Sequence, residues 1–154
     1  MKPGGLVVVA IAAAVLSGCA VPTALADPSP LLPSEVSADS PPAFLDDPID
    51  PEHPLPDEVA TSFNVDPADA RYQGEWYGEG LYLSGTNGTV RLIGVDLDDP
   101  ELWHAGGGLG NSPFAMESGD TTDDEWMLQY LPQGTADLPD GWTAFSPWLA
   151  SRDL

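Results

Sequence analysis

Proline spacing constrains this chain more than any other feature. Residues 20–70 hold eleven prolines and eleven acids, with no lysine or arginine. Proline lacks an N–H, has a fixed φ and pushes the residue before it out of the helical region. Neither a helix nor a central strand can therefore run through Ser40-Pro41-Pro42, Asp47-Pro48-Ile49-Asp50-Pro51 or His53-Pro54-Leu55-Pro56. The large apolar residues here, chiefly Leu31, Leu32, Phe44 and Leu45, are scattered. Such sparse burial does not offset the entropy of ordering the segment, so the composition predicts a disordered, partly polyproline, self-repelling Pro/Asp-rich linker up to residue 66. About 45 residues at about 3.1 Å each would reach roughly 140 Å extended, or average roughly 40 Å as a coil.

The whole chain of 154 residues carries 4 Lys+Arg against 25 Asp+Glu, a formal charge of −21. Nothing in it neutralises a phosphate backbone, so a nucleic-acid partner is excluded, as is a polybasic membrane-surface protein. A single cysteine excludes an internal disulfide framework.

That cysteine sits at the end of a leader. Lys2 precedes an eleven-residue apolar run, 6–16, which is too short to span about 30 Å of hydrocarbon but fits the core of an export signal. The run closes in Leu16-Ser17-Gly18-Cys19, which closely resembles the lipobox of bacterial lipoproteins. The resemblance implies that residues 1–18 are a signal peptide and that Cys19 receives a diacylglycerol on its sulfur. In many bacteria the freed amine also takes an acyl chain such as palmitate. The membrane is then a partner through lipid alone. After cleavage three arginines face 25 acids, 3 − 25 = −22, and an anionic leaflet repels the polypeptide. The alternative is cleavage after Ala24-Leu25-Ala26, which would release a soluble secreted protein beginning at Asp27.

Residues 67–154 hold all five tryptophans and all four tyrosines, marking a globular domain after a lipidated tether over 19–66. Asp66-Pro67 is an N-cap and N1 pair, predicting a short helical turn from Pro67 towards Tyr72. Leu81-Tyr82-Leu83 and Thr89-Val90-Arg91-Leu92-Ile93 flank Asn87-Gly88, a hairpin signal. Asp99-Pro100-Glu101-Leu102-Trp103 reads as a second capped helical turn, ended by Gly106-Gly107-Gly108. Further strands are expected at 114–117, 125–131 and 142–145, separated by Gly-, Asp- and Pro-rich turns. The predicted fold class is mainly β, a small antiparallel sheet domain with one or two short helical turns, preceded by the disordered linker. An Arg after a short turn, an aromatic hairpin, a Trp before a Gly-rich segment and Asp140-Gly141-Trp142 before a C-terminal apolar strand together resemble a group of uncharacterised actinobacterial exported proteins. That group carries cysteines near the positions of Arg91 and Gly107, so the resemblance implies a disulfide that this chain lacks. It implies no activity.

Catalytic motifs fail on inspection. No serine has both glycines of G-x-S-x-G, and His104, the histidine available to Ser84, Ser112, Ser118 or Ser146, reads as solvated or helix-capping. Gly106-Gly107-Gly108-Leu109-Gly110-Asn111-Ser112 puts Asn111 where a phosphate loop needs lysine and where a dinucleotide loop needs its third glycine. Asp96-Leu97-Asp98-Asp99-Pro100-Glu101 starts like a calcium loop but has Glu101 at the glycine position and Gly107 at the last ligand position. Asp120, Asp123, Asp124 and Glu125 form a second acidic cluster, and His53 has no histidine or cysteine near it. Trp76, Tyr77, Tyr82, Trp103, Trp126, Trp142 and Trp148 read mainly as core, with a sugar-stacking platform as the alternative. No catalytic residue, metal ligand or cofactor is assigned. The expectation is a lipid-anchored, non-catalytic binding or accessory module whose partner is another exported protein or a cell-wall component. Two alternatives stay open: a small envelope enzyme acting on glycan through paired carboxylates about 5–9.5 Å apart, and a weak calcium-binding wall module.

Overall fold

A computed structural model describes residues 31–117 and 125–154. The leader, Cys19, and Asp120, Asp123 and Asp124 lie outside the described residues. As expected, the fold is mainly β, built on two four-stranded antiparallel sheets.

The first sheet is a meander of β1 (Ala70–Trp76), β2 (Glu79–Ser84), β3 (Thr89–Asp96) and β4 (Trp103–Leu109). Tyr77-Gly78 and Asn87-Gly88 make its first two turns. Both residues of each pair have positive φ (49° and 81°, 56° and 70°), matching the twist of the flanking strands. The third turn is not helical. The Asp96 carboxylate accepts the N–H groups of Asp98 and Asp99, and the Leu102 N–H donates to Asp99 O at 2.8 Å. With Pro100 setting its φ, this is a tight turn that leads straight into β4. The Asp66 side chain does cap Ala68 N as expected, but the turn it starts stops at Asp69 and β1 begins at Ala70.

The second sheet holds β5 (Phe114–Glu117), β6 (Trp126–Tyr130), β7 (Thr143–Ala144) and β8 (Leu149–Asp153), in the order β5-β6-β8-β7. Strand alternation divides the core in two. Leu81, Leu83, Val90 and Leu92 point at Phe114, Leu128, Tyr130 and Leu149 of the second sheet. Tyr82, Ile93 and Val95, of opposite parity, point outward against Leu55, Val59, Ala60 and Val65.

Those outer partners overturn the expected linker. Residues 31–66 form an ordered strap, and the compact unit runs from Leu31 to Leu154 without a boundary at 66. The short helix α1 (Asp57–Phe63) covers the outer face of the first sheet. Phe44 is fully buried between the sheets, edge-on to Tyr130 with ring centroids 5.9 Å apart. The physical reason lies in the strap's carbonyls. A proline-rich chain has few N–H groups for a ladder, but its C=O groups accept well, and buried side chains elsewhere donate to them. Arg71 donates through Nε to Asp47 O and through Nη2 to Leu45 O, both at 2.6 Å. Gln129 exchanges two bonds with the Leu32 backbone, at 2.9 and 2.8 Å. Asn111 donates its N–H to Ala38 O at 2.7 Å, and the Tyr82 hydroxyl donates to Pro54 O. Arg71, Asn111 and Gln129 are buried polar residues, and each one grips the strap.

Candidate functional site

Each sheet has two edges, and three of the four are protected in ways that discourage further pairing. β1 carries a bulge at Gln73, whose Oε1 accepts a hydrogen bond from Ser146. β5 is four residues long and β7 only two. Bulges and short edge strands are the usual defences against added strands. β4 has neither. It pairs with β3 over seven residues without a register shift and contains no lysine or proline.

The phase of the β3–β4 ladder follows from its two ends, where Asp96 N donates to Leu102 O and Gly110 N donates to Gly88 O. In an antiparallel pair such hydrogen-bonded positions alternate. Trp103, Ala105, Gly107 and Leu109 therefore aim their N–H and C=O groups away from β3, where no described residue bonds to them.

Glycine is a structural requirement on β4, not a loop signal. A Cβ at Gly106 would lie 3.0 Å from the Met116 side chain, and one at Gly108 would lie 3.3 Å from Phe114. On the opposite face, a Cβ at Gly107 would lie 2.5 Å from Val90 O and 3.1 Å from Arg91 Cγ. Missing side chains let the second sheet close on one face and leave a hollow of about 270 Å³ on the other. Phe63, Thr89, Arg91 and the backbone of 105–109 line it. Trp103, packed edge-on against Phe63 at 4.6 Å, flanks the hollow and is 41% exposed. Leu109, at 86%, is exposed more fully than its apolar character favours.

Arg91 gives the hollow its charge. Its Nη1 donates to Phe63 O at 2.6 Å, and among the described residues it forms no ion pair despite the acidity of the chain. No acid lines the hollow. The sequence reading missed both Arg91 and the open edge. Their signal is the period-two series Trp103, Ala105, Gly107, Leu109 beside a strand with a lone cation at its centre.

The residues singled out from sequence have other settings. His104 lies on β4 but faces the second sheet's side, its Nδ1 3.3 Å from Glu79 Oε1, so it caps no helix and is exposed, as the solvated reading expects. His53 Nδ1 lies 2.9 Å from Asp50 Oδ2, and its ring stacks on Tyr72 at 4.2 Å. The hydrogen bond from His53 holds the Asp50 carboxyl below its ordinary range. The carboxylate of Asp96 is occupied by its own turn. Among the described residues no group of three or more His, Cys, Asp or Glu could hold a metal ion. Asp66 and Asp69 share an open hollow of about 440 Å³, but Asp66 is engaged as the cap of Ala68.

The aromatics are largely structural. Trp76 meets Trp126 at 5.8 Å and Phe145 at 5.1 Å, and exposed Tyr77 stacks on Trp126. Trp148 Nε1 donates to the Asp47 carboxylate at 2.6 Å, and Arg152 lies over Trp142. The Trp76 Nε1 is buried without a hydrogen-bond partner among the described residues. Tyr130, whose hydroxyl donates to Asn111 Oδ1 at 2.6 Å, is pushed above the ordinary tyrosine range by burial.

Comparison of the chain with protein-family models, with curated proteins and with solved structures gives no match in any of the three. Function is therefore read from the residues themselves.

Proposed function

We propose that the protein is an exported, lipid-anchored, non-catalytic module that binds another envelope polypeptide by taking it as a fifth strand beside β4. The observation that carries this reading is the open edge of Trp103–Leu109, the one long and undefended edge among the described strands. Main-chain groups of Trp103, Ala105, Gly107 and Leu109 supply the ladder, and the exposed side chains of Trp103 and Leu109 supply the apolar contact at either end.

The anchor is Cys19, on the strength of the Leu16-Ser17-Gly18-Cys19 sequence. Because the strap is packed, the earlier reach of roughly 140 Å no longer holds. Residues 20–30 are eleven in number and can span roughly 40 Å at most.

Two measurements test the reading. Intact-mass analysis of membrane fractions should show acyl mass on the wild type, and Cys19→Ala should lose it and appear in the medium. A wild-type product starting at Asp27 with no acylated form would overturn the anchor. Amide hydrogen exchange at Ala105, Gly107 and Leu109 should be fast in the isolated protein and slow at least tenfold when the protein is anchored in its own envelope. Unchanged exchange at all three would overturn strand addition.

A further inference from the structure

We infer that the strand accepted by β4 carries a carboxylate at the residue lying opposite Gly107, and that Arg91 receives it. This rests on the strand-addition reading above and adds the chemistry of the ligand.

Arg91 and Gly107 are direct cross-strand partners, and the Arg91 Cγ fills part of the space that a side chain on Gly107 would take. An added strand would run about 4.8 Å beyond β4. Its residue opposite Gly107 would place its side chain on the same face as Arg91, with no β4 side chain between them. A long cation can therefore act across a strand that is locally bare.

Arg71 shows what a satisfied arginine looks like in this fold. It gives four hydrogen bonds to the carbonyls of Leu45, Asp47, Ala68 and Ala70 and is buried. Arg91 gives one among the described residues, through Nη1, and its guanidinium has further donors for a forked contact with a carboxylate.

Charge selects among occupants. The lining of the hollow contains one cation and no anion, so the local complement is an acid. The chain as a whole is strongly negative, so a ligand acidic throughout would be repelled on approach. The occupant is a largely neutral or basic extended segment with a single acid at its centre. A second copy of this chain does not qualify. Its own β4 has no Asp or Glu to offer, and two chains of −21 repel each other.

The test uses the full chain and a blocked synthetic peptide of alternating threonine and valine, with one central glutamate and a lysine at each end. Two companions differ by a single feature: glutamine for the glutamate, or N-methyl groups on the amides along one edge. The glutamate peptide should bind at least tenfold tighter than the glutamine peptide, with no binding by the N-methylated one. In Arg91→Gln the two unmethylated peptides should bind alike. The glutamate–glutamine comparison on the wild-type protein stands even if that variant folds poorly. Equal binding of glutamate and glutamine peptides to the wild type, with loss on N-methylation, would overturn the carboxylate inference and leave strand addition intact. Undiminished binding of the N-methylated peptide, or no binding by any peptide at millimolar concentration, would overturn strand addition itself.

Discussion

The two edges of the first sheet differ in every respect that governs pairing. β1 is bulged at Gln73, touched by Ser146 and flanked by the strap that Arg71 holds. β4 is regular, bare at its centre and open along its length. Each edge has an arginine beside it, and the two are used in opposite ways. Arg71 spends its donors on backbone carbonyls inside the fold, whereas Arg91 keeps most of its guanidinium facing a hollow. On the strand-addition reading proposed above, structural and recognition roles separate by hydrogen-bond accounting rather than by residue type.

That contrast can be broken by experiment. If the strap is part of the core, Phe44→Ala should cost about 3–5 kcal/mol in urea denaturation, because it empties a fully buried site between the sheets. A cost below about 1 kcal/mol would mean that the strap is not needed to cover the fold. Arg71→Ala should cost about 3 kcal/mol, since it leaves the inward carbonyls of Leu45 and Asp47 without donors. Arg91→Ala, losing one hydrogen bond at a half-buried site, should cost about 1 kcal/mol. Equal costs for the two arginines would erase the distinction drawn between the edges.

Alkaline titration sharpens the comparison from the strap's side. Burial raises the Tyr130 pKa above its ordinary value of 10.0, so the folded state holds that proton more tightly than the unfolded state does. Stability from this source is full below pH 10 and falls as the pH rises beyond it. Tyr72 and Tyr82, also raised chiefly by burial, add to the fall. A pH series of melting temperatures should therefore drop steeply above pH 10, and less steeply in Tyr130→Phe. The smallest effect is expected for Trp76→Phe, which removes a buried indole N–H that has no partner among the described residues. Its stability should change by no more than about 1 kcal/mol, against the 3–5 typical of emptying an aromatic site.

Turn and cap signals are legible in the sequence, although the Asp99-Pro100 turn is not the helical one its pattern suggests. Asn87-Gly88 marks its hairpin, Asp66 caps its turn, and the strand expected at 114–117 is β5. Signals that depend on distant residues are not legible. The strap looks disordered by composition because its stabilising donors are elsewhere: Gln129 lies 97 residues from Leu32, and Trp148 lies 101 residues from Asp47. Gly106, Gly107 and Gly108 looked like a turn because glycine is the usual residue there. Their reason is the nearness of Met116, Phe114 and Arg91, which no local pattern discloses. For the site, the sequence pointed to acids and histidines, yet the open edge depends on main-chain phase and on a side chain that is absent.

The strap's grip also has a consequence for the order of assembly. The meander of the first sheet needs only neighbours in the chain and can close quickly. Leu32, Phe44 and Asp47 must wait for Gln129, Tyr130 and Trp148, which the ribosome makes later. Among the described residues, part of the earliest segment thus settles late, and a chain cut short before Gln129 would keep the grip of Arg71 and Asn111 on the strap but lose those of Gln129, Tyr130 and Trp148.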